Sequence, residues 1–244
     1  MAHLTGFVVA TPHIGRVSFA EPAPDDRQTR PVAGKLRAVT DLSDLVERCK
    51  AGDGSAFREV FRNHRADVAR LVLRMTGRPA DLDDLVQDVF LQVYRSIKDF
   101  RGQSRFSTWL YRLTVNVVLM QRRAARSRPV LQGASDDAFG ADVRDLPDDQ
   151  LARTRRVAAF YRLLDRMSDK KRAVFVLHEL EGLSPGEVAK VVGAPVLTVR
   201  TRLFYARREL LEMLRDEPAL EFVARELREE RTESGEPLTE GEST

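Results

Sequence analysis

Apolar residues recur every three or four positions along most of the chain after its first forty residues, a pattern typical of helices that bury one face. The first stripe predicts a helix over roughly residues 55–76, which Gly77 ends. Asp81 is placed to cap a second helix, and a loop containing Gly102 precedes a third helix that begins near Phe106. The three stripes consist of Phe57, Val60, Phe61, His64, Val68, Leu71, Val72 and Met75, then Leu82, Leu85, Val86, Val89, Phe90, Val93, Tyr94 and Ile97, then Phe106, Trp109, Leu110, Leu113, Val117 and Met120.

A second group of helices is predicted after residue 150. One helix covers about residues 151–166, and the next runs from a cap at Ser168 to Glu181. Ser184, with proline after it and Glu187 three positions on, forms a capping box that starts a short helix. A last helix follows Pro195, with an inner face of Val199, Leu203, Ala206, Leu210 and Leu214. A short capped helix, a glycine turn and a longer helix indicate a helix-turn-helix.

These patterns predict an all-α chain of two small helical domains joined by a flexible linker. The domains are expected at residues 41–126 and 151–214, because proline, glycine and aspartate interrupt the helical pattern across residues 127–150. A leader over residues 1–40 and an acidic tail over residues 215–244 show no sustained periodicity and are expected to be disordered.

Composition excludes several classes of protein. Cys49 is the single cysteine, so no internal disulfide can form, which fits a cytoplasmic location. No apolar run approaches the ~20 residues of a membrane span, and the first residues lack the pattern of a signal peptide. No metal-ligand spacing, phosphate-binding glycine loop or nucleophile motif is present, so we expect no metal, no cofactor and no catalytic residue. His64 and His178 are interpreted as core residues.

The third helix and its preceding loop carry positive charge without negative charge. No acidic residue lies between Asp99 and Asp136, while seven arginines do. Aromatic residues alternate with these cations, a combination suited to the phosphates and unpaired bases of single-stranded or melting DNA. The alternatives are an idle basic helix and, for Trp109, a place in the core. The arginines are Arg101, Arg105, Arg112, Arg122, Arg123, Arg126 and Arg128.

The second helix of the helix-turn-helix has a similar one-sided charge. No acidic residue lies between Glu187 and Glu209, and one face carries Arg200, Thr201, Phe204 and Arg208, with Arg207 beside it. Arginine binds guanine in the major groove, and threonine or phenylalanine can contact a thymine methyl group. The alternative is a helical hairpin packed for stability alone.

The helix that follows Asp81 begins with a cluster of acidic and amide side chains, at Asp83, Asp84, Gln87 and Asp88. Acidic residues favour a helix N-terminus through the helix dipole, which accounts for those of the first turn. Gln87 and Asp88 fit a protein-binding face better, and both interpretations stay open from the residues alone.

The motifs together resemble a known family. Residues 84–90 (DLVQDVF), 100–112 (FRGQSRFSTWLYR) and Val115-Asn116 resemble region 2 of the sigma-70 family. Residues 174–177 (VFVL), 181–184 (EGLS) and 198–203 (TVRTRL) resemble region 4 of the same family. The short two-domain layout resembles its extracytoplasmic-function (ECF) group.

This resemblance implies a sigma factor that binds RNA polymerase core, through the β′ clamp region and the β subunit, and directs it to promoter DNA. The helix carrying Asp84, Gln87 and Asp88 would dock on the β′ clamp, which favours the protein-binding interpretation. The −10 element and DNA melting would involve Arg101, Gln103, Ser104, Arg105, Phe106, Trp109, Arg112, Asn116, Arg122 and Arg123. The −35 element would be read by the helix-turn-helix residues Ser184, Thr198, Arg200, Thr201, Arg202, Phe204, Arg207 and Arg208.

The resemblance also implies an anti-sigma factor as a partner. Leu197 stands where family members often carry glycine, and we expect its size to alter the angle of the recognition helix. Met167-Ser168 replaces a usual Leu-Pro. The main alternative function is a stand-alone helix-turn-helix regulator of duplex DNA, which explains residues 183–208 and leaves the motifs of residues 84–123 unused.

Overall fold

A computed structural model describes residues 39–127 and 148–220, and throughout these residues the regular structure is helical. The predicted leader, most of the linker and most of the tail lie outside the described residues. The elements are α1 (Val39–Lys50), α2 (Gly54–Thr76), α3 (Leu82–Ser96), α4 (Phe106–Ser127), α5 (Asp148–Arg166), α6 (Asp169–Phe175), α7 (Pro185–Val192) and α8 (Val196–Leu214), with 3₁₀ turns at Pro79–Asp81, Ile97–Asp99 and Pro218–Leu220 and a π-helical turn at Val176–Leu180.

Helices α1 to α4 form the N-terminal half, in which α2, α3 and α4 all pack against one another. Asp53 caps α2, because its side chain accepts hydrogen bonds from the backbone N–H of Ser55 and of Ala56 at 2.8 and 3.3 Å. Hydrogen bonds from Ser55 and Arg48 hold the pKa of Asp53 well below its usual range. Gly77 ends α2 in the left-handed conformation, with φ of 67°.

The predicted stripes form the core of this half, with corrections at their edges. His64 is buried, as the sequence predicts, and burial lowers the pKa of its imidazole. Tyr94 and Met120 were assigned to stripes but are 61% and 60% exposed, because Val93 and Val118 take the inward positions of those turns. Asp81 occupies the cap position of α3 without a capping hydrogen bond from its side chain, since a 3₁₀ turn leads directly into the helix.

The C-terminal half contains α5 to α8, and its helix-turn-helix forms as predicted. Ser184 and Glu187 make both hydrogen bonds of the capping box, and Gly193 ends α7 with φ of 65°. All five inner-face residues predicted for α8 are buried. The helix expected up to Glu181 instead changes at Val176 into a π-helical turn, and the side chain of Ser168 makes no capping hydrogen bond.

The two halves contact each other, chiefly where α4 packs against α7. Gly77 lies against the ring of Tyr161, so closely that a Cβ atom at Gly77 would be 2.6 Å from the Cβ and Cγ of Tyr161. The backbone of residue 77 therefore fits against α5 only as glycine.

A buried carboxylate holds the same junction. Glu181, whose side chain is 3% exposed, pairs with Arg74 at 2.9 Å and with Arg70 at 3.6 Å. The hydroxyl group of Tyr111 lies 3.5 Å from the second carboxylate oxygen. Burial, and then the charge of Glu181, raises the pKa of Tyr111 to about 12. Removing one partner from a buried ion pair costs about 3–5 kcal/mol, so these contacts fix how the halves meet.

Within residues 39–127 and 148–220, no helix is both long enough and apolar enough to cross a membrane. The same residues bring together no cluster of His, Cys, Asp and Glu side chains suited to a metal ion.

Replacing Gly77 with alanine tests the junction. The variant Gly77→Ala is expected to lose about 1–2 kcal/mol of unfolding free energy from its left-handed backbone. It should also force Tyr161 away and separate the halves, so amide hydrogen exchange in α4 and α7 should accelerate.

Gly193→Ala is the matched control, because Gly193 also ends a helix at φ of 65° and has no atom within 4 Å of its added Cβ among the described residues. The control variant should lose a similar amount of unfolding free energy, but amide hydrogen exchange in α4 and α7 should not accelerate. Equal exchange in both variants would contradict the proposed contact.

Candidate polymerase and DNA interfaces

The acidic face of α3 is open to a partner. Asp84 and Gln87 are exposed, and Asp88 is half-buried and accepts a hydrogen bond from Gln121 at 3.1 Å. Residues three and four apart share one side of a helix, so the three predicted core-binding residues lie together. Leu85 and Val89, on the same helix, are buried in the core.

An apolar groove of about 520 Å³ borders this acidic face. Gln87 and Asp83 lie on its rim, and Asp83 forms an ion pair with Arg65 at 3.0 Å. Leu91 and Tyr94, 44% and 61% exposed, form its open side. The groove is lined by Phe57, Phe61, Arg65, Asp83, Val86, Gln87, Phe90, Leu91 and Tyr94. An apolar surface next to acidic side chains is suited to a partner helix with apolar and basic residues.

The loop before α4 rests on an aromatic cluster. Gly102 adopts φ of 70° in this loop. The rings of Phe100, Phe106 and Trp109 contact one another at centroid distances of 5.2, 5.5 and 5.7 Å. Phe106 is 4% exposed and belongs to the core, and Trp109 is half-buried beside it. Ser104 is half-buried and donates a hydrogen bond to the backbone carbonyl of Arg105 at 3.4 Å. Arg101, Gln103 and Arg105 are exposed in the loop, where they could surround an unpaired base.

The cationic side chains of α4 divide into two groups. Arg123 and Asn116 are exposed to solvent. Arg122, in contrast, is 13% exposed and forms ion pairs with Asp165 at 2.6 Å and Asp169 at 3.2 Å, across the junction of the halves.

Two further arginines of α4 also bind the C-terminal half. Arg126 pairs with Asp169 at 3.2 Å, and Arg112 donates to the backbone carbonyl of Lys190. Three cations of α4 therefore have partners on α5, α6 and α7, and two of them, Arg112 and Arg122, are among the residues predicted to contact the −10 element. Aspartate carboxylates here occupy positions at which a phosphate group would be attracted equally well.

The recognition helix α8 presents a continuous outer face. Arg200, Thr201, Phe204 and Arg208 are exposed, as sequence predicts, and Thr198 and Arg202 are half-buried. Leu197 is 75% exposed in the first turn, so its side chain does not pack against α7.

Three predicted −35 residues also have side-chain partners. Arg208 forms an ion pair with Glu212 at 3.0 Å, one turn further along α8. Arg207 forms an ion pair with Glu179 at 2.7 Å, and its side chain is 16% exposed. Ser184 forms the capping box of α7, as described above.

Sequence reasoning missed the residues that join the halves. Glu181, Asp165, Asp169 and Tyr111 carried no signal of their own, because charged residues on helices are usually exposed. Arg172 was missed for the same reason. It is fully buried against Asp165, and burial, then the charge of Arg122, lowers its pKa to about 10, so it remains cationic at neutral pH.

The chain matches two family models. Residues 60–128 match the model of Sigma-70 region 2, and residues 158–210 match that of Sigma-70, region 4. The first contains α3 and the cationic helix α4, and the second contains the helix-turn-helix.

Curated relatives and a solved structure agree with these matches. The chain is 35% identical to the ECF RNA polymerase sigma-E factor of Haemophilus influenzae, over 71% of this chain and 94% of that protein. It is 34% identical to the sigma-E factor of Escherichia coli K12, over 68% and 90%. The structure of CnrH in complex with the cytosolic domain of CnrY is similar with a TM-score of 0.52 and 27% identity, covering 71% of this chain and 97% of that one. The protein therefore belongs to the extracytoplasmic-function group of the sigma-70 family of RNA polymerase sigma factors.

Proposed function

We propose that this alternative sigma factor holds RNA polymerase core on α3 and places α4 on the −10 element and α8 on the −35 element. The observation that carries this proposal is a pair of cationic helix surfaces, one in each half, beside a separate acidic and apolar docking face. Helix α4 contains no acidic residue, and α8 contains none over residues 196–208. A stand-alone regulator would need only the helix-turn-helix and would leave α3 and the loop before α4 without a role.

The polymerase contact is assigned to Asp84, Gln87 and Asp88 together with the groove beside them. The charges supply orientation, and the exposed rings and Leu91 supply apolar area that a partner helix would bury. The clamp region of the β′ subunit is the proposed partner of this face, and the β subunit is proposed as a further contact.

The −10 element is assigned to the loop before α4 and the adjacent face of that helix. A base leaving the stack needs a pocket and a surface on which to stack, and we assign these roles to the Gly102 loop and the half-buried ring of Trp109. Arg101, Arg105 and Arg123 are exposed and ready to contact phosphates. Asn116 adds a polar group on the same helix.

The halves must separate for both elements to be engaged at once. Elements named for positions −10 and −35 lie about 25 base pairs apart, or ~85 Å along the duplex at about 3.4 Å per base step. In the contact described here, α4 and α7 touch. We therefore propose that opening releases Arg112, Arg122 and Arg126 from their partners on the C-terminal half and makes them available to DNA.

An anti-sigma factor is proposed as a regulatory partner. The similar structure of CnrH contains the cytosolic domain of CnrY. A protein of that kind would control this chain by covering the α3 face or by holding the two halves together. This chain, which has to reach RNA polymerase core, is proposed to be cytoplasmic.

The overall test is run-off transcription with purified core polymerase on a library of promoters. The proposal requires initiation at specific sites only when both the chain and core polymerase are present. In footprinting experiments, protection of duplex DNA by the isolated protein, unchanged when core polymerase is added, would instead favour the stand-alone regulator.

Asp84→Asn tests the polymerase contact. Loss of this exposed charge should weaken binding to core polymerase about tenfold, which corresponds to about 1.4 kcal/mol. Fluorescence anisotropy of the labelled chain titrated with core polymerase measures the affinity. Asp99→Asn removes an equally exposed carboxylate away from the groove, and equal losses in the two variants would refute the assignment.

Energy transfer between dyes tests the opening. Dyes on Asn63→Cys and Lys170→Cys, in a Cys49→Ala background, label exposed positions on α2 and α6. Transfer should be high in the free chain and largely lost in the complex with core polymerase and promoter. A dye pair at Asn63→Cys and Arg95→Cys, within the N-terminal half, should not change. Persistent transfer between the halves in a transcribing complex would exclude opening.

Arg200→Ala tests the reading of the −35 element. If Arg200 binds a base edge, the variant should lose about 1–3 kcal/mol of promoter affinity and accept other bases at one position. Selection from a randomised −35 library measures this preference. Arg166→Ala, an exposed arginine on α5, is the control. A uniform loss over all sequences would mean that Arg200 contacts only phosphate.

A further inference from the structure

The outer face of the recognition helix carries a line of apolar groups as well as cations. Leu197 and Phe204 are 75% and 56% exposed, and Thr201 lies between them at spacings of four and three residues. These spacings put all three on one side of α8. Single exposed apolar residues are common, but three in register along one binding face call for a ligand.

The hydroxyl group of Thr201 is already used within the helix. Its Oγ1 donates a hydrogen bond to the backbone carbonyl of Leu197 at 3.0 Å. The methyl group of Thr201 is therefore the part left to contact a partner. The line presents an isobutyl group, a methyl group and an aromatic ring, and we call Leu197, Thr201 and Phe204 the apolar line.

The surroundings of the apolar line indicate a nucleic-acid partner rather than an apolar protein surface. Arg200 and Arg208 flank it, and no acidic residue occurs between Glu187 and Glu209, although Arg208 pairs with Glu212 at 3.0 Å. An apolar protein partner would desolvate the exposed guanidinium group of Arg200 without compensation. DNA supplies phosphates for the cations, and the thymine C5-methyl group is the apolar feature of its major groove.

The position of Leu197 also fits a contact with bases. It is the second residue of α8, and the N-terminal residues of a recognition helix are those that reach base edges in the major groove. At a rise of about 1.5 Å per residue, the apolar line extends ~10 Å, which covers roughly three base steps. Leu197 and Phe204 would thus contact different base pairs.

We propose that Leu197 is a specificity-determining residue that selects thymine at one position of the −35 element by contact with its C5-methyl group. Thr201 and Phe204 extend the same apolar contact to neighbouring positions. This inference rests on the proposed function, because it assumes that α8 lies in the major groove of the −35 element.

Deoxyuridine provides the test, since it differs from thymidine only by the missing methyl group. Each thymine of the −35 element of a transcribed promoter is replaced singly, on either strand, and the affinity of the full chain bound to core polymerase is measured. At one position the replacement should weaken binding by the wild-type protein about fourfold, the value for burying one methyl group.

Leu197→Ala should abolish the difference between thymidine and deoxyuridine at that position alone. Val196→Ala is the matched control, because Val196 is also exposed, at 41%, but points about 100° around the helix from Leu197. It should keep the full difference, and Phe204→Ala should remove sensitivity at another position. Thermal melting monitors folding of each variant.

Three results would overturn the inference. In the first, Leu197→Ala weakens binding equally on thymidine and deoxyuridine templates. In the second, no replacement of thymidine by deoxyuridine changes the affinity of the wild-type protein. In the third, Leu197→Ala loses affinity for core polymerase before DNA is added, which would mark a protein-binding surface. Failure of the proposed function looks different, because the wild-type chain would then support no promoter-specific initiation on any template.

Discussion

The carboxylate of Glu181 determines how the two halves of this protein meet. Enclosed between Arg70 and Arg74, it is stable only while both cations stay with it, because an unpaired buried charge is very costly. When the halves part, water solvates all three groups, and the net difference between paired and hydrated charges is small. A charged junction of this kind is suited to a contact that has to open. An apolar junction of similar area would resist opening, because exposing apolar side chains to water costs free energy that their hydration does not recover.

The same balance applies to the cationic helix α4. Arg122 has to be neutralised by something, and in the closed arrangement Asp165 and Asp169 neutralise it. On a promoter, phosphate groups would take that role and release counterions as they bind. Under the proposed function, closure and promoter binding therefore compete for the same side chains, and the position of the C-terminal half would set how much of α4 is available to DNA.

Local patterns in the sequence predict much of this fold, but they do not predict contacts between residues that are distant in the sequence. The capping box of Ser184 and Glu187 spans four residues and is readable directly. The π-helical turn after Phe175 is not, because the periodicity of its residues also fits an α-helix. Arg122 resembles a phosphate contact in the sequence, and its carboxylate partner lies 43 residues away. The motif that resembles region 2 implies a DNA contact for Phe106, and the structure shows its ring buried in the core. The polymerase and promoter assignments rest on family motifs, because a pattern of charge does not identify which macromolecule binds to it.

Trp109 has a consequence for experiment. It is the only tryptophan of the chain, and its ring centroid lies 5.2 Å from that of Phe100 and 5.5 Å from that of Phe106, next to the loop proposed to bind the −10 element. Ultraviolet excitation of the unmodified protein therefore reports on this one place. A nucleobase that settles against the indole ring would quench its emission, so strand capture can be followed in real time without attaching a probe.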